Sequence, residues 1–124
     1  MSNTLTEKPS GQNGLLTSSG SLTLVRQEDD AGCGIACVAM LAKCSYAQAR
    51  KVWLSQGGRE FEIAAVNGGL SWYQLCRLME IMGVKIPMAW ETPRIISVKA
   101  QPPLTSGHWV VVDESGRIFD PANT

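Results

Sequence analysis

The hydrophobic residues of this chain change their spacing once, at Gly83, and this change restricts the folds open to it. Before Gly83, apolar residues recur every three or four positions, which is typical of amphipathic helices. After Gly83, apolar residues alternate or form short β-branched runs, which is typical of strands. Helices followed by strands indicate an α+β domain, with an N-terminal helical half packed on a C-terminal antiparallel sheet.

Three helices are predicted, and their ends carry capping or stop signals. Two Ser-x-x-Gln capping boxes mark the starts of the second and third helices, and glycines mark their ends. The predicted helices occupy 33–43, 45–57 and 71–83. Residues 59–69, between the second and third, are predicted to be a loop with a little helix potential. The third helix is expected to bury one apolar stripe, formed by Leu75, Leu78, Met79 and Met82.

The strands are predicted from alternation and β-branched content. An extended lead-in at 22–25 precedes the helices, and strand-like segments at 84–86 and 95–98 follow them. The segments 108–112 and 117–119 flank a turn that suits a hairpin with a three-residue loop. Residues 1–21 are rich in small polar side chains, so we expect a flexible tail there and a folded domain over 22–124.

Composition and charge exclude several classes of protein. The 124 residues suffice for one domain with a core, and eleven basic side chains balance eleven acidic ones. A net charge of zero offers no surplus for nucleic-acid phosphates. No apolar run approaches the ~20 residues of a membrane span, and the N-terminus lacks the features of a secretory signal. We therefore expect a cytoplasmic protein with no nucleic-acid partner, although another secretion route stays open.

The cysteine spacing favours reduced thiols over disulfides or zinc. Cys33 and Cys37 lie one helical turn apart in an apolar run, which is a poor place for a bridge. A zinc site needs Cys-x-x-Cys pairs or several histidines, and the chain has one histidine. We therefore expect no metal and no cofactor. Cys37, Cys44 and Cys76 are interpreted as small core residues, the usual role of free cysteine.

Cys33 differs from the other cysteines in its surroundings. It lies between Gly32 and Gly34 where a polar loop becomes a helix. Glycines there allow a tight turn and leave space for a substrate. A thiol at a helix N-terminus lies at the positive end of the helix dipole, which stabilises the thiolate. Cys33 is therefore the candidate nucleophile.

His108 and Asp120 are the candidate partners of this cysteine. The predicted hairpin pairs Asp113 with Arg117, which makes Asp120 the diagonal neighbour of His108 on the same sheet face. Asp113 falls on the opposite face, so Asp120 is the acid expected to orient the imidazole. Gln27, in the loop before Cys33, is a candidate amide donor to an oxyanion.

The segment 27–40, with Gln27, Cys33-Gly34 and an Ala-Cys pair, resembles the active-site segment of the bacteriocin-processing cysteine peptidases. That family has a papain-like domain that removes double-glycine leaders from peptides. The segments 108–112 and 118–121 resemble its His-bearing strand and its Asp-Pro strand. The resemblance covers about residues 22–122, nearly the whole expected domain.

The resemblance implies a role for each candidate residue. Cys33 would be the nucleophile, His108 the base, Asp120 the orienting acid and Gln27 the oxyanion donor. The chain departs from the family at Gly32, where an acidic residue is usual, and in its short His-to-Asp interval. It also lacks the membrane-spanning exporter that usually follows the peptidase domain. We therefore expect a standalone cysteine peptidase that acts on a peptide or protein.

Two other hypotheses about the function remain open at this point. The same residues would serve a bacterial effector or toxin that uses acyl transfer for deamidation or transglutamination. A non-catalytic descendant would bind peptides or a partner protein without chemistry. The sequence identifies neither the cleavage specificity nor a biological partner such as an exporter or an immunity protein.

Overall fold

A computed structural model describes residues 22–64, 69–98 and 107–122 of the chain. Four helices precede a three-stranded antiparallel sheet, so the predicted α+β class and its order are confirmed. The predicted tail at 1–21 lies outside the described residues. The elements are α1 (Cys33–Ala42), α2 (Tyr46–Ser55), α3 (Phe61–Ala64), α4 (Trp72–Ile81), β1 (Arg94–Val98), β2 (His108–Val112) and β3 (Ile118–Phe119).

Helix α1 is the centre of the domain. Its first eight residues, 33–40, are all buried, because the sequence CGIACVAM is apolar on every side. A helix that is apolar all round is stable only when other elements cover it. Helices α2 and α4 and strand β2 pack against α1. The first residue of this central helix is Cys33, so the fold fixes the backbone of the candidate nucleophile.

Both predicted capping boxes are present. The Ser45 hydroxyl accepts a hydrogen bond from the Gln48 N–H at 3.1 Å, and the Gln48 side chain accepts one from the Ser45 N–H at 2.9 Å. The corresponding distances for Ser71 and Gln74 are 3.2 and 2.8 Å. Helix α4 stops just before Gly83, which has the left-handed φ of 74° expected of a residue that ends a helix.

The hairpin between β2 and β3 has the predicted register. Val111 pairs with Phe119 and Val112 with Ile118, and the Asp113 N–H donates to the Arg117 carbonyl at 3.1 Å. Gly116 closes the three-residue loop with a φ of 86°. Strand β1 pairs with the other edge of β2, so β2 is the central strand.

Two local expectations need correction, and the predicted helix potential of 59–69 is confirmed. The short helix α3 forms there, because the Glu62 side chain accepts the Arg59 N–H and Ile63 is buried. The alternating segment 84–86 is not a strand; its apolar side chains pack on the core, but its backbone joins no ladder. Met82 is half-buried rather than buried, because α4 has ended before it.

No helix in the described ranges has both the length and the apolar character needed to cross a bilayer.

Candidate active site

Cys33 occupies an uncapped helix start. It is the first residue of α1, and Gly32 at the N-cap position offers no side chain to the free N–H groups of the first turn. The backbone N–H groups of Trp109, Gly34 and Cys33 itself lie close enough to the Cys33 sulfur to lower the pKa of the thiol. The residue is 6% exposed. A negative charge on this sulfur would therefore have three fixed donors.

Burial nevertheless raises the pKa of the Cys33 thiol. Loss of water around the sulfur is the largest effect, and the three backbone N–H groups oppose it without overcoming it. The negative charge of Asp120 raises the pKa further. The N–H groups of the helix start favour the thiolate, as predicted, but burial of the sulfur opposes them. Formation of the thiolate requires a nearby group to accept the proton.

His108 and Asp120 form the pair that the hairpin register predicts. The Nε2 atom of His108 lies 2.7 Å from Oδ1 of Asp120. The His108 side chain is 12% exposed and the Asp120 side chain 38%. Asp120 also accepts the Ala122 N–H at 2.9 Å, which holds its carboxylate in place. Because Nε2 faces the carboxylate, Nδ1 is the ring nitrogen left to exchange a proton with a thiol.

Asp113 lies in the hairpin turn, and its side chain forms hydrogen bonds within that turn. Its Oδ1 atom accepts the N–H groups of Ser115 and Arg117 at 2.9 and 3.0 Å and the Ser115 hydroxyl at 2.7 Å. The hydrogen bond from Ser115 is the main reason that the pKa of Asp113 is lowered. Asp113 fixes the turn, whereas Asp120 contacts the imidazole.

Two main-chain contacts join the cysteine side of the site to the strand side. The Trp109 N–H that lies close to the Cys33 sulfur belongs to the residue that follows His108. On the other side, the Gln27 N–H donates to the Pro121 carbonyl at 3.1 Å, next to Asp120. The start of α1, the start of β2 and the end of β3 therefore meet at one place.

Gln27 lies at this junction, but its side-chain amide is engaged. Its Nε2 atom donates to the carbonyls of Asp29 and Asp30 at 3.0 and 3.1 Å. Its Oε1 atom is buried and has no partner in the part of the chain that the structure describes. Donation to an oxyanion would require the amide to turn away from its own loop. That role stays a prediction.

The two glycines beside Cys33 serve packing rather than substrate access. A Cβ atom at Gly32 would overlap the hydroxyl of Tyr46. A Cβ atom at Gly34 would lie 2.7 Å from Leu75. The φ of Gly32 is −89°, which any residue adopts, so no special turn requires glycine there. The expectation that these glycines leave space for a substrate is wrong, because the protein's own side chains occupy that space.

The other cysteines differ from Cys33 in position and burial. Cys37 is fully buried one turn further along α1, as predicted. Cys44 and Cys76 pack against the core but are only half-buried, so their assignment to the core holds in part. Residues 22–64, 69–98 and 107–122 contain no group of three or more side chains that would hold a metal ion.

An apolar groove adjoins the site. Its volume is about 430 Å³, and Trp109 connects it to Cys33, because the Trp109 N–H contacts the sulfur while the ring lines the groove. The Trp109 ring donates to the Leu70 carbonyl at 2.7 Å and lies 6.0 Å from the Trp72 ring. The other lining residues are Pro87, Met88, Ala89, Arg94 and Ile95.

Sequence reasoning missed a polar cluster behind the cysteine loop. The Asp29 carboxylate accepts the Tyr46 hydroxyl at 2.6 Å and Arg50 Nε at 2.9 Å from the same side of α2. Arg50 also pairs with Glu60. Tyr46 and Arg50 stand one turn apart on α2, and that spacing was the only available signal.

Comparison with protein-family models, with curated proteins and with solved structures found no match to this chain. Functional conclusions therefore depend on the residues and their geometry.

Proposed function

We propose that this protein is a cysteine peptidase of papain-like architecture, with Cys33 as nucleophile, His108 as general base and Asp120 as the orienting acid. The observation that carries the proposal is the His108–Asp120 hydrogen bond of 2.7 Å, next to a cysteine whose sulfur lies close to backbone N–H groups at a helix start. The resemblance to bacteriocin-processing peptidases supports the same three assignments.

The chemistry begins with transfer of the Cys33 proton to Nδ1 of His108. Burial raises the pKa of the thiol, so this transfer depends on an acceptor in place rather than on the helix start alone. Asp120 accepts the Nε2–H, fixes the tautomer and stabilises the imidazolium that results. The thiolate and the imidazolium then form an ion pair beside the substrate.

The thiolate attacks the carbonyl carbon of the peptide bond, and the carbonyl oxygen takes up the negative charge. His108 returns the proton to the leaving amine, and an acyl-enzyme remains on Cys33. Water, deprotonated by His108, then releases the acid product and restores the thiol. The uncapped N–H groups at the start of α1 are the fixed donors for the oxyanion, with Gln27 as a further donor if its amide turns.

The groove beside Trp109 supports a peptide substrate. Its walls are mostly apolar, and Arg94 contributes one cationic side chain. Trp72 and Met88, which line it, are large apolar side chains that remain exposed. Such a surface suits an extended chain that places an apolar side chain next to the bond to be cleaved. Leader peptides, which the resemblance implies, are one class of such substrates.

The test begins with a thiol-directed activity probe and peptide mapping. We expect the probe to label Cys33 and none of the other three cysteines. Digestion of a peptide library, read by mass spectrometry, then identifies the reaction. Cleaved products support the peptidase, whereas a mass change in uncleaved glutamine peptides supports the deamidase reading. Absence of Cys33 labelling would overturn both and leave a binding protein.

A further inference from the structure

We propose that Tyr46 is a positioning residue for Cys33, acting through the contact of its hydroxyl with Gly32. The inference rests on the proposed role of Cys33 as nucleophile and adds a residue that the resemblance does not name. Its basis is a chain of contacts that runs from α2 through the cysteine loop to the start of α1.

The first step is the fixed position of the hydroxyl. Tyr46 is the first residue of α2 and is 2% exposed. Its hydroxyl donates to Oδ2 of Asp29 at 2.6 Å, and Arg50 Nε donates to the same oxygen at 2.9 Å. A short hydrogen bond to a carboxylate in a partly buried site is among the stronger ones in proteins. The phenol side chain of Tyr46 is therefore held in one position.

The second step is the contact with the residue before the nucleophile. The Tyr46 hydroxyl occupies the space where a Cβ atom of residue 32 would lie, so the phenol packs directly on the Gly32 backbone. The Gly32 carbonyl in turn accepts the Ala36 N–H at 3.0 Å within the first turn of α1. The hydroxyl therefore contacts the backbone of Gly32, and this backbone sets the position of Cys33.

The third step is the persistence of the donor. Burial and the hydrogen bond to Asp29 both raise the pKa of Tyr46 far above that of an ordinary phenol. The hydroxyl therefore keeps its proton and its contact throughout the pH range in which a cysteine enzyme works. Asp29 holds the same loop at a second point, because its carbonyl accepts the Gln27 side chain.

Loss of this contact should affect the reactivity of Cys33 more than the binding of substrate. No residue of the 32–34 backbone lines the groove, whereas two of the three N–H groups that act on the sulfur belong to Cys33 and Gly34. Displacement of a reacting atom by about 1 Å costs up to about a hundredfold in rate. We expect Tyr46→Phe to slow Cys33 roughly tenfold, because the ring remains and only the hydroxyl is lost.

The experiment measures alkylation of the purified full chain by iodoacetamide at neutral pH, with each cysteine followed by peptide mapping. Tyr46→Phe is compared with Tyr73→Phe, a matched control whose tyrosine is 81% exposed. We expect the Cys33 rate to fall about tenfold in the first variant and to stay unchanged in the second. Equal Cys33 rates in wild type and Tyr46→Phe would overturn the proposal.

A second pair of variants separates positioning from general stabilisation. Gly32→Ala forces a methyl group into the hydroxyl, and we expect a large loss of Cys33 reactivity. In the double variant Gly32→Ala/Tyr46→Phe the nearest ring atom to that methyl is Cζ, at 3.0 Å, so part of the reactivity should return. Losses that simply add would show that the hydroxyl does not act through residue 32, and that outcome would contradict the proposal.

Asp29→Asn keeps the shape of the cluster and gives an independent result should Gly32→Ala not fold. It weakens the hold on the hydroxyl, so it should slow Cys33 in the same direction as Tyr46→Phe. An unchanged rate in both variants overturns the positioning role. Wild-type Cys33 reacting no faster than the half-buried Cys44 would instead overturn the proposed function, so the two failures are distinct.

Discussion

Two kinds of helix start occur side by side in this protein. Helices α2 and α4 begin with serine–glutamine capping boxes, whose side chains bond the first free N–H groups. Helix α1 begins at Gly32 without any side-chain cap. Its first N–H groups, on Cys33 and Gly34, lie close to the cysteine sulfur instead.

The difference shows how one feature of helix geometry serves two purposes. Every helix leaves its first N–H groups without intrahelical partners. A polar side chain at the N-cap satisfies them and stabilises the helix by about 1 kcal/mol. Where the cap is missing, the same donors remain for a sulfur anion or a substrate oxygen. Helix α1 tolerates this because burial of its apolar surface, not its cap, holds it in place.

The largest expected effect comes from the two cysteines of α1, of which one lies at the uncapped start and the other one turn further into the core. Cys33→Ala should abolish peptidase activity while the protein stays folded, because the nucleophile is lost. Cys37→Ala should keep most activity and lose some stability, because a fully buried side chain becomes smaller. Activity assays and thermal melts on both variants check this. An active Cys33→Ala and an inactive Cys37→Ala would reverse the nucleophile assignment.

The next effect concerns the proton acceptor that the buried thiol requires. In His108→Ala no imidazole takes the proton, so Cys33 should react with iodoacetamide only as its own thiol ionises. Because burial raises the pKa of Cys33 above the ordinary 9.0, the reaction should be slow at neutral pH, and its rate should still be rising with pH at 9.0. Wild-type protein should also react near neutral pH. A pH–rate profile that His108→Ala leaves unchanged would exclude the ion pair.

A smaller effect is expected at the acid of the hairpin. Asp120→Asn keeps the shape of the side chain but stabilises the imidazolium less, so the rate should fall about tenfold to a hundredfold, less than the largest losses seen in serine enzymes. Asp113→Asn should leave the rate nearly unchanged and weaken only the turn, whose N–H groups it accepts. Values of kcat for the two variants test the register, and a larger loss in Asp113→Asn would contradict it.

The smallest effect on activity is expected from the capped helices. Ser45→Ala or Ser71→Ala removes one cap and should lower stability by about 1 kcal/mol, which corresponds to a Tm decrease of ~4–8 °C for a domain of this size. Cys33 alkylation at 25 °C should change far less than in Tyr46→Phe, because both variants keep the Tyr46 hydroxyl and the N–H groups that act on the sulfur. A clear change in the alkylation rate would mean that the capped and uncapped starts are not independent.

Local signals in the sequence were sufficient for the features that depend on neighbouring residues. The two capping boxes follow from serine and glutamine three positions apart. The pairing of Asp113 with Arg117 follows from the turn residues between them, and it places Asp120 beside His108. The side-chain contact between strands was thus predictable because the turn alone fixes the register.

Features that depend on distant residues were not predictable. Tyr46 and Asp29 are 17 positions apart, and nothing in their spacing indicates that the hydroxyl fills the space beside Gly32. The burial that raises the pKa of Cys33 arises from packing of the sheet on α1, which no local pattern encodes. Sequence reasoning therefore named candidate reacting groups but gave no measure of how deeply the sulfur is buried.

The double contact of Trp109 makes the site observable by its own fluorescence. Its N–H lies close to the Cys33 sulfur, while its indole lines the groove and lies 6.0 Å from the Trp72 ring. Under the proposed function, a peptide in the groove would displace water from both indoles, and an acyl group on the sulfur would change the charge and space beside Trp109. Indole emission is sensitive to both changes, so it would report groove occupancy and acylation in real time without an attached dye.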